Sequence, residues 1–292
     1  MMYYKEVVFS IFLMMSSAHI YGQNNQIYSG AYTNELNGPG YFAPLADVVG
    51  ANLSSQSFST HYKSGFGIHF GIISVRSLIT EGQKSHAGIS TGLDDNRELS
   101  VPTIFGRPGA VITEDATGNV FGFPGGFGLS TVSFLLPQVT VSTPVQTDVS
   151  FRFFAHDFVG EFGSLSLIGG GLRHHLHPYF KLDDKLHLSI GYSYNQLNAD
   201  SDIVNFVIHT GFTEVGYKVN RLFVPFVNVQ YIDSSLSIDY IREEVITSFT
   251  GSGNDNIRAE IGFSFKLKPL LIKAGYHVVG TQGFSALVGL SF

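Results

Sequence analysis

Residues 145–155, V-Q-T-D-V-S-F-R-F-F-A, decide how this chain folds. Side chains alternate along a strand, so Val145, Thr147, Val149, Phe151, Phe153 and Ala155 share one face, and Gln146, Asp148, Ser150, Arg152 and Phe154 the other. The first face suits an apolar surround. The second carries an acid and a base at mid-strand, where a soluble sandwich core would have to desolvate both. A barrel with a polar interior accepts them. The same division recurs. Leu186, Leu188, Ile190, Tyr192 and Tyr194 oppose His187, Ser189, Gly191, Ser193 and Asn195, and Ile257, Ala259, Ile261, Phe263, Phe265 and Leu267 oppose Arg258, Glu260, Gly262, Ser264, Lys266 and Lys268. Near the start, Phe66, Ile68, Phe70 and Ile72 face away from Gly67, His69 and Gly71.

Composition agrees with a barrel wall. The chain has 292 residues, 44% hydrophobic and only 14% charged, against roughly 25% charged in an ordinary soluble domain. After the N-terminus no apolar run reaches the ~20 residues of a membrane helix, whereas a barrel strand needs only about 10, half of them polar. The formal net charge of −6 offers no basic footprint for nucleic acid. With no Cys there is neither a disulfide framework nor a thiol redox site.

Residues 1–22 read as a secretory signal: Lys5 supplies a positive start, and V-V-F-S-I-F-L-M-M-S-S (residues 7–17) is too short to span a membrane. The alternative is a buried first helix. Residues 23–58 form a periplasmic or luminal segment, polar at first. Then Leu45, Val48, Val49 and Leu53 recur at helical spacing after Pro44, which predicts one short amphipathic helix, a plug in the lumen or a leader on the rim. Residues 59–292 form the barrel. Residues 222–240 read as one long strand rather than a hairpin at Asp233 and Ser234. Residues 85–91 and 101–113 are the least certain strands, and counting them gives an all-β, transmembrane antiparallel barrel of about 12 strands, within roughly 10 to 14. Residues 136–144 and 174–184 are expected as turns on the side of the C-terminus.

The last residues, F-S-A-L-V-G-L-S-F (284–292), set Phe284, Ala286, Val288, Leu290 and Phe292 on one face. They resemble the closing strand of outer-membrane barrels, whose terminal aromatic, here Phe292, is part of the signal read by the barrel-insertion machinery. Y-F-A-P-L-A-D-V-V-G-A-N-L-S-S-Q-S-F, V-P-T-I-F-G-R-P-G and G-G-G-L-R-H-H-L-H-P-Y-F together resemble an uncharacterised family of Gram-negative outer-membrane barrels. More distantly the layout is similar to outer-membrane long-chain fatty acid transporters, although this chain is shorter. The resemblance implies a cell outer membrane location with the lipid bilayer as partner; it brings no activity or binding residues.

The chemistry-bearing residues point the same way. His174, His175 and His177 crowd one turn, but adjacent histidines diverge on an extended chain and no carboxylate stands at ligand spacing, so no metal is expected. Instead they read, with Arg173, Tyr179 and Lys181, as turn anchors at headgroup level. No nucleophile elbow occurs; His209 with Thr210 and His187 with Ser189 are weak pairs, and neither an enzyme nor a cofactor is expected. Asp148, Arg152, Arg258, Glu260, Lys266, Lys268 and Lys273 would line the lumen, tuning solute passage or sealing the barrel. Gly169, Gly170 and Gly171 suggest a bend or bulge. The functional expectation is a channel or transporter for small or hydrophobic solutes. The alternative is a closed barrel serving as a structural or secretion and attachment-assembly partner.

Overall fold

The computed structural model describes residues 36–55, 58, 65–90, 97–157, 164–180, 185–199, 204–242 and 245–292. The expectations for residues 1–22, for Lys181 and for most of the polar leader fall outside these residues. Among the described residues one α-helix, α1 (Gly38–Ser54), precedes the strands β1 (Gly67–Leu78), β2 (Ser85–Ile89), β3 (Glu98–Pro102), β4 (Val111–Glu114) and β5 (Val120–Phe123). Then follow β6 (Thr131–Ser142), β7 (Thr147–Asp157), β8 (Ser164–His175), β9 (Leu186–Ala199), β10 (Val204–Tyr217) and β11 (Phe223–Arg242). The last are β12 (Val245–Ser252), β13 (Ile257–Leu267), β14 (Leu270–Val279) and β15 (Gly283–Ser291). The main sheet runs β10-β9-β8-β7-β6-β1-β15-β14-β13-β11, and β10 pairs with β11 to close an antiparallel barrel of ten strands. Closure leaves no unpaired edge in the wall. First and last strands meet at a regular seam, His69 opposite Ser291 through Ser77 opposite Gly283.

The wall therefore holds ten strands, below the central count of about 12 and at the low end of the expected range. The two doubtful segments belong to small hairpins, β2–β3 and β4–β5, that stand off the barrel between β1 and β6. Strand β11 is a single long strand, as expected. Its first part pairs with β13 and its distal part with β12, so β12 continues the line of β13 beyond the rim after the break at residues 253–256. Pro137 lies inside β6 rather than in a turn: its partner across β1 is Ile72, and the turn falls at residues 143–146, with Gln146 at φ 61. Gln146 thus belongs to that turn and not to the strand's inner face. The triple glycine is no bulge, since β8 keeps unbroken register with both neighbours. Instead, a Cβ on Gly169 would lie 2.3 Å from the Asn195 side chain.

Inside and outside exchange polarity partway along several strands. Close to the rim that bears Phe292, outward residues are apolar and exposed, among them Phe70, Ile72, Phe151, Phe153, Ile190 and Val288. Inward residues at that level are polar and buried: His69, Gln138, Asp148, Arg152, Arg173 and Glu214. Toward the far rim the pattern inverts on β1, β6, β8, β9, β10 and β11. There Ile73, Phe134, Leu167, Leu197, Phe206 and Leu236 point inward, and Ser74, Ser133, Ser166, Gln196, Asn205 and Asp233 point outward. Hence these six strands have the polarity of a membrane barrel at one end and that of a water-soluble barrel with an apolar core at the other, while β13, β14 and β15 keep apolar residues such as Ile257, Val279 and Phe284 outward to the far rim. That core is filled by α1.

Helix α1 is not amphipathic, contrary to expectation. Leu45, Val48, Val49 and Leu53 are buried, but so are Ala43, Ala46, Asp47, Ala51 and Asn52 on the other sides, because the helix lies within the barrel and meets wall all round. Burial of each such aliphatic side chain contributes roughly 1.5–3 kcal/mol. The hairpin segment closes over the helix start: Ile89 exchanges two hydrogen bonds with the Asn37 amide (2.8 and 2.9 Å), Tyr41 Oη donates to Gly125 O (2.9 Å), and Phe105 is fully buried in the same cluster.

Candidate functional site

The end of a helix leaves backbone carbonyls without partners and carries a partial negative charge. In α1 these carbonyls point into the bore, where two arginines of the wall meet them. Arg152 on β7 donates through Nη1 to Leu53 O and through Nη2 to Ser55 O (2.7 Å), while its Nε holds Gln138 Oε1 (2.7 Å). Arg258 on β13 donates to Ala51 O, to Ser55 Oγ (2.8 Å) and to His277. Ser77 Oγ on β1 donates to Asn52 Oδ1 (2.8 Å). The plug is thus tethered to opposite parts of the wall by charge-assisted bonds, the stronger kind of hydrogen bond.

Deeper toward the Phe292 rim, a chain of ion pairs crosses the bore. Arg173 on β8 bridges Asp148 Oδ2 (3.0 Å from Nε) and Glu214 Oε1 (3.2 Å), and Lys273 on β14 binds Glu214 Oε2 at 2.7 Å. His175 Nε2 lies 3.0 Å from the same oxygen of Asp148. Phe58, which follows the helix, sits in this network: its carbonyl accepts from Lys273 Nζ (2.9 Å), and Arg173 stacks over its ring at 5.1 Å. Glu260 accepts from Ser285 Oγ (2.5 Å). The space left among Phe58, Phe212, Glu214 and Lys273 measures about 10 Å³, scarcely room for one water molecule.

Of the seven charged residues singled out in the sequence, Asp148, Arg152, Arg258, Glu260 and Lys273 come together here, all buried. Lys266 is half-exposed at the rim, and Lys268 lies exposed in the turn between β13 and β14, outside the bore. Arg173 and His175 are not turn anchors, since β8 runs on through His175 and odd positions point inward. Of that group His174 stacks on Tyr179 (5.4 Å), and His177 stacks on His187 (5.1 Å). Among the described residues no group of His, Asp and Glu has the geometry of a metal site. Glu214 escaped the sequence reading because β10 changes its inward polarity at Thr210, so uniform alternation did not mark it.

A third contact lies at the helix flank. Asp47 Oδ1 accepts from the Asp255 N–H (2.8 Å) in the break between β12 and β13, and Asp255 Oδ2 accepts from Thr281 Oγ1 (3.2 Å). Burial raises the Asp47 carboxyl to about 6, with Asp255 adding repulsion. A folded-state value above the ordinary 3.8 means that the folded protein binds this proton more tightly than the unfolded chain. Stability from this group is therefore present at low pH and falls as pH rises from about 4 to 6, by about 3 kcal/mol. Asp47→Asn keeps the acceptor oxygen and removes the charge. It is expected to melt higher than the parent at pH 7.5 and to flatten the stability change between pH 4 and 6 in detergent; an unchanged profile contradicts this.

A closed antiparallel barrel with a tethered internal helix is the class that fold and site define. The chain belongs to a family of unknown function (DUF6588), whose profile matches residues 1–292. No curated protein sequence matches it. Among solved structures it is similar to the transport unit of the autotransporter AIDA-I from Escherichia coli (12% identity, 87% of this chain and 97% of that one, TM-score 0.33). It is also similar to the outer membrane protease OmpT from Escherichia coli (9%, 80% and 99%, TM-score 0.33). A third is the P. putida toluene transporter TodX (11%, 80% and 69%, TM-score 0.26). At these values the likeness concerns the barrel alone.

Proposed function

We propose that this protein is an outer-membrane barrel, non-catalytic and closed to free diffusion, with a structural or attachment-assembly role at the cell surface. The observation that carries the reading is the tethered helix: α1 fills the far half of the bore, and buried ion pairs fill the rest. The apolar outer band supports insertion into a bilayer, with Phe292 offered to the insertion machinery. The half with a polar exterior then stands clear of the membrane, crowned by the β2–β3 and β4–β5 hairpins and the β11–β12 extension, as a platform for a partner. The full-length mature chain refolded into planar bilayers is expected to be electrically silent. Stable open steps from that chain would rule the closed reading out.

A second reading, passage of small hydrophobic solutes, is favoured by one feature: the wall around α1 is apolar, so displacement of the helix would leave an apolar cup. Deletion of residues 23–58 is then expected to give conducting steps. If the deleted barrel folds and stays silent, the solute reading loses its support.

A further inference from the structure

On the outside of the wall, across the seam, lies an apolar groove of about 580 Å³, within the ~300–1,000 Å³ range of small-molecule sites. Its floor is bare backbone, the cross-strand pair Gly71 and Gly289. Phe70 and Phe151 stand along one side, Ile72 and Phe153 along the other, because these positions fall in two successive outward rows: Phe70 pairs with Val139 and Val139 with Phe151, while Ile72 pairs with Pro137. All four side chains are exposed, between 51% and 69%. At one end the groove reaches Leu270, two residues beyond the exposed Lys268.

We infer that this groove holds one acyl chain of an anionic phospholipid, with the phosphate at Lys268. This rests on the membrane reading above. A polar ligand finds no match, since the walls offer neither charge nor hydroxyl. A long flexible hydrocarbon can follow a furrow continuous with the apolar outer band, and each methylene it buries is removed from a less apolar surround. The cationic side chain lies at the rim, where a headgroup stands, and attracts an anionic one. The groove opens on the outside of the wall, whereas Leu287, next to the groove residue Val288 on β15, is buried on the bore side.

The test is native mass spectrometry of the full-length protein refolded with a mixture of phosphatidylglycerol and phosphatidylcholine, then stripped progressively of detergent. The parent is expected to retain one phosphatidylglycerol. Val139→Trp, which fills the groove from an outward position, is expected to lose it at least tenfold more readily, and Lys268→Glu to lose the preference for phosphatidylglycerol. Val227→Trp, outward on β11, serves as the control and retains it. Equal retention by Val139→Trp and parent, or retention by neither, overturns the groove. So does a parent that is a dimer and becomes monomeric in Val139→Trp, which would make a second copy the occupant. The membrane reading fails separately, through a chain that folds without detergent and does not enter vesicles.

Discussion

Arg173→Met is expected to be among the most destabilising single substitutions in the barrel, costing about 3–5 kcal/mol, the usual cost of removing one partner from a buried ion pair. Arg173 stands between two buried carboxylates, Asp148 and Glu214, each about 4% exposed. Met keeps an unbranched apolar stem but leaves both acids short of a cation. Glu214 still has Lys273; Asp148 is left with His175. Urea unfolding in detergent, followed by the gel shift between folded and unfolded barrel, measures the loss. Adding Asp148→Asn to Arg173→Met should recover a substantial part, and the resulting coupling energy belongs to the pair. Arg173→Lys should recover less, because an ammonium cannot span both carboxylates with the fork of a guanidinium. A loss below about 1 kcal/mol for Arg173→Met would mean that water reaches the network and that the bore is not sealed.

The second large effect belongs to the helix tether. Arg152→Ala combined with Arg258→Ala strips partners from the carbonyls of Ala51, Leu53 and Ser55, and a hydrogen bond to a charged group contributes roughly 1.5–3 kcal/mol. The two residues sit on separate strands, so the wall itself keeps its backbone pairing. The expected outcome is a barrel that still resists unfolding on gels while α1 becomes accessible to protease and the bilayer current shows intermittent steps. Each single variant should act in the same direction with a smaller effect. A double variant that stays silent and protease-resistant would show that the apolar packing of Leu45, Val48 and Leu53 alone retains the helix.

Much of the wall was legible because strands such as β7 and β13 place apolar residues outward and polar residues toward the bore. This makes Phe151 and Arg152 alternate visibly. The legible charges, Asp148, Arg152, Arg258, Glu260 and Lys273, are those on such strands. The reading failed where the strand leaves that environment. On β10, Phe206 and Ile208 point inward and Glu214 also points inward; the rule changes within one strand because α1 fills only one end of the bore. Glu214 and Arg173 were hidden by this change and by a strand end that ran past the expected turn. The number of strands was overestimated because β2–β3 and β4–β5 have local strand character, whereas membership of the wall depends on distant pairing between β1 and β6. Helical spacing found α1 but could not tell a surface helix from one enclosed on every side.

Helix α1 packs against the inner wall of the closed barrel, and the absence of Cys from the chain allows a clean test of this packing. A Cβ built on Gly50 would stand 2.8 Å from the Ser234 Cβ on β11, so a shift of about an ångström brings the pair into the ordinary disulfide spacing of roughly 3.5–4.5 Å. The measurement is the extent of disulfide formation in Gly50→Cys with Ser234→Cys after refolding, read by thiol labelling under denaturing conditions, with Gly50→Cys paired to the outward Val227→Cys as control. Near-complete oxidation of the first pair, with two free thiols in the control, is the predicted result. Two free thiols in both would contradict the enclosed helix and the closed barrel built on it.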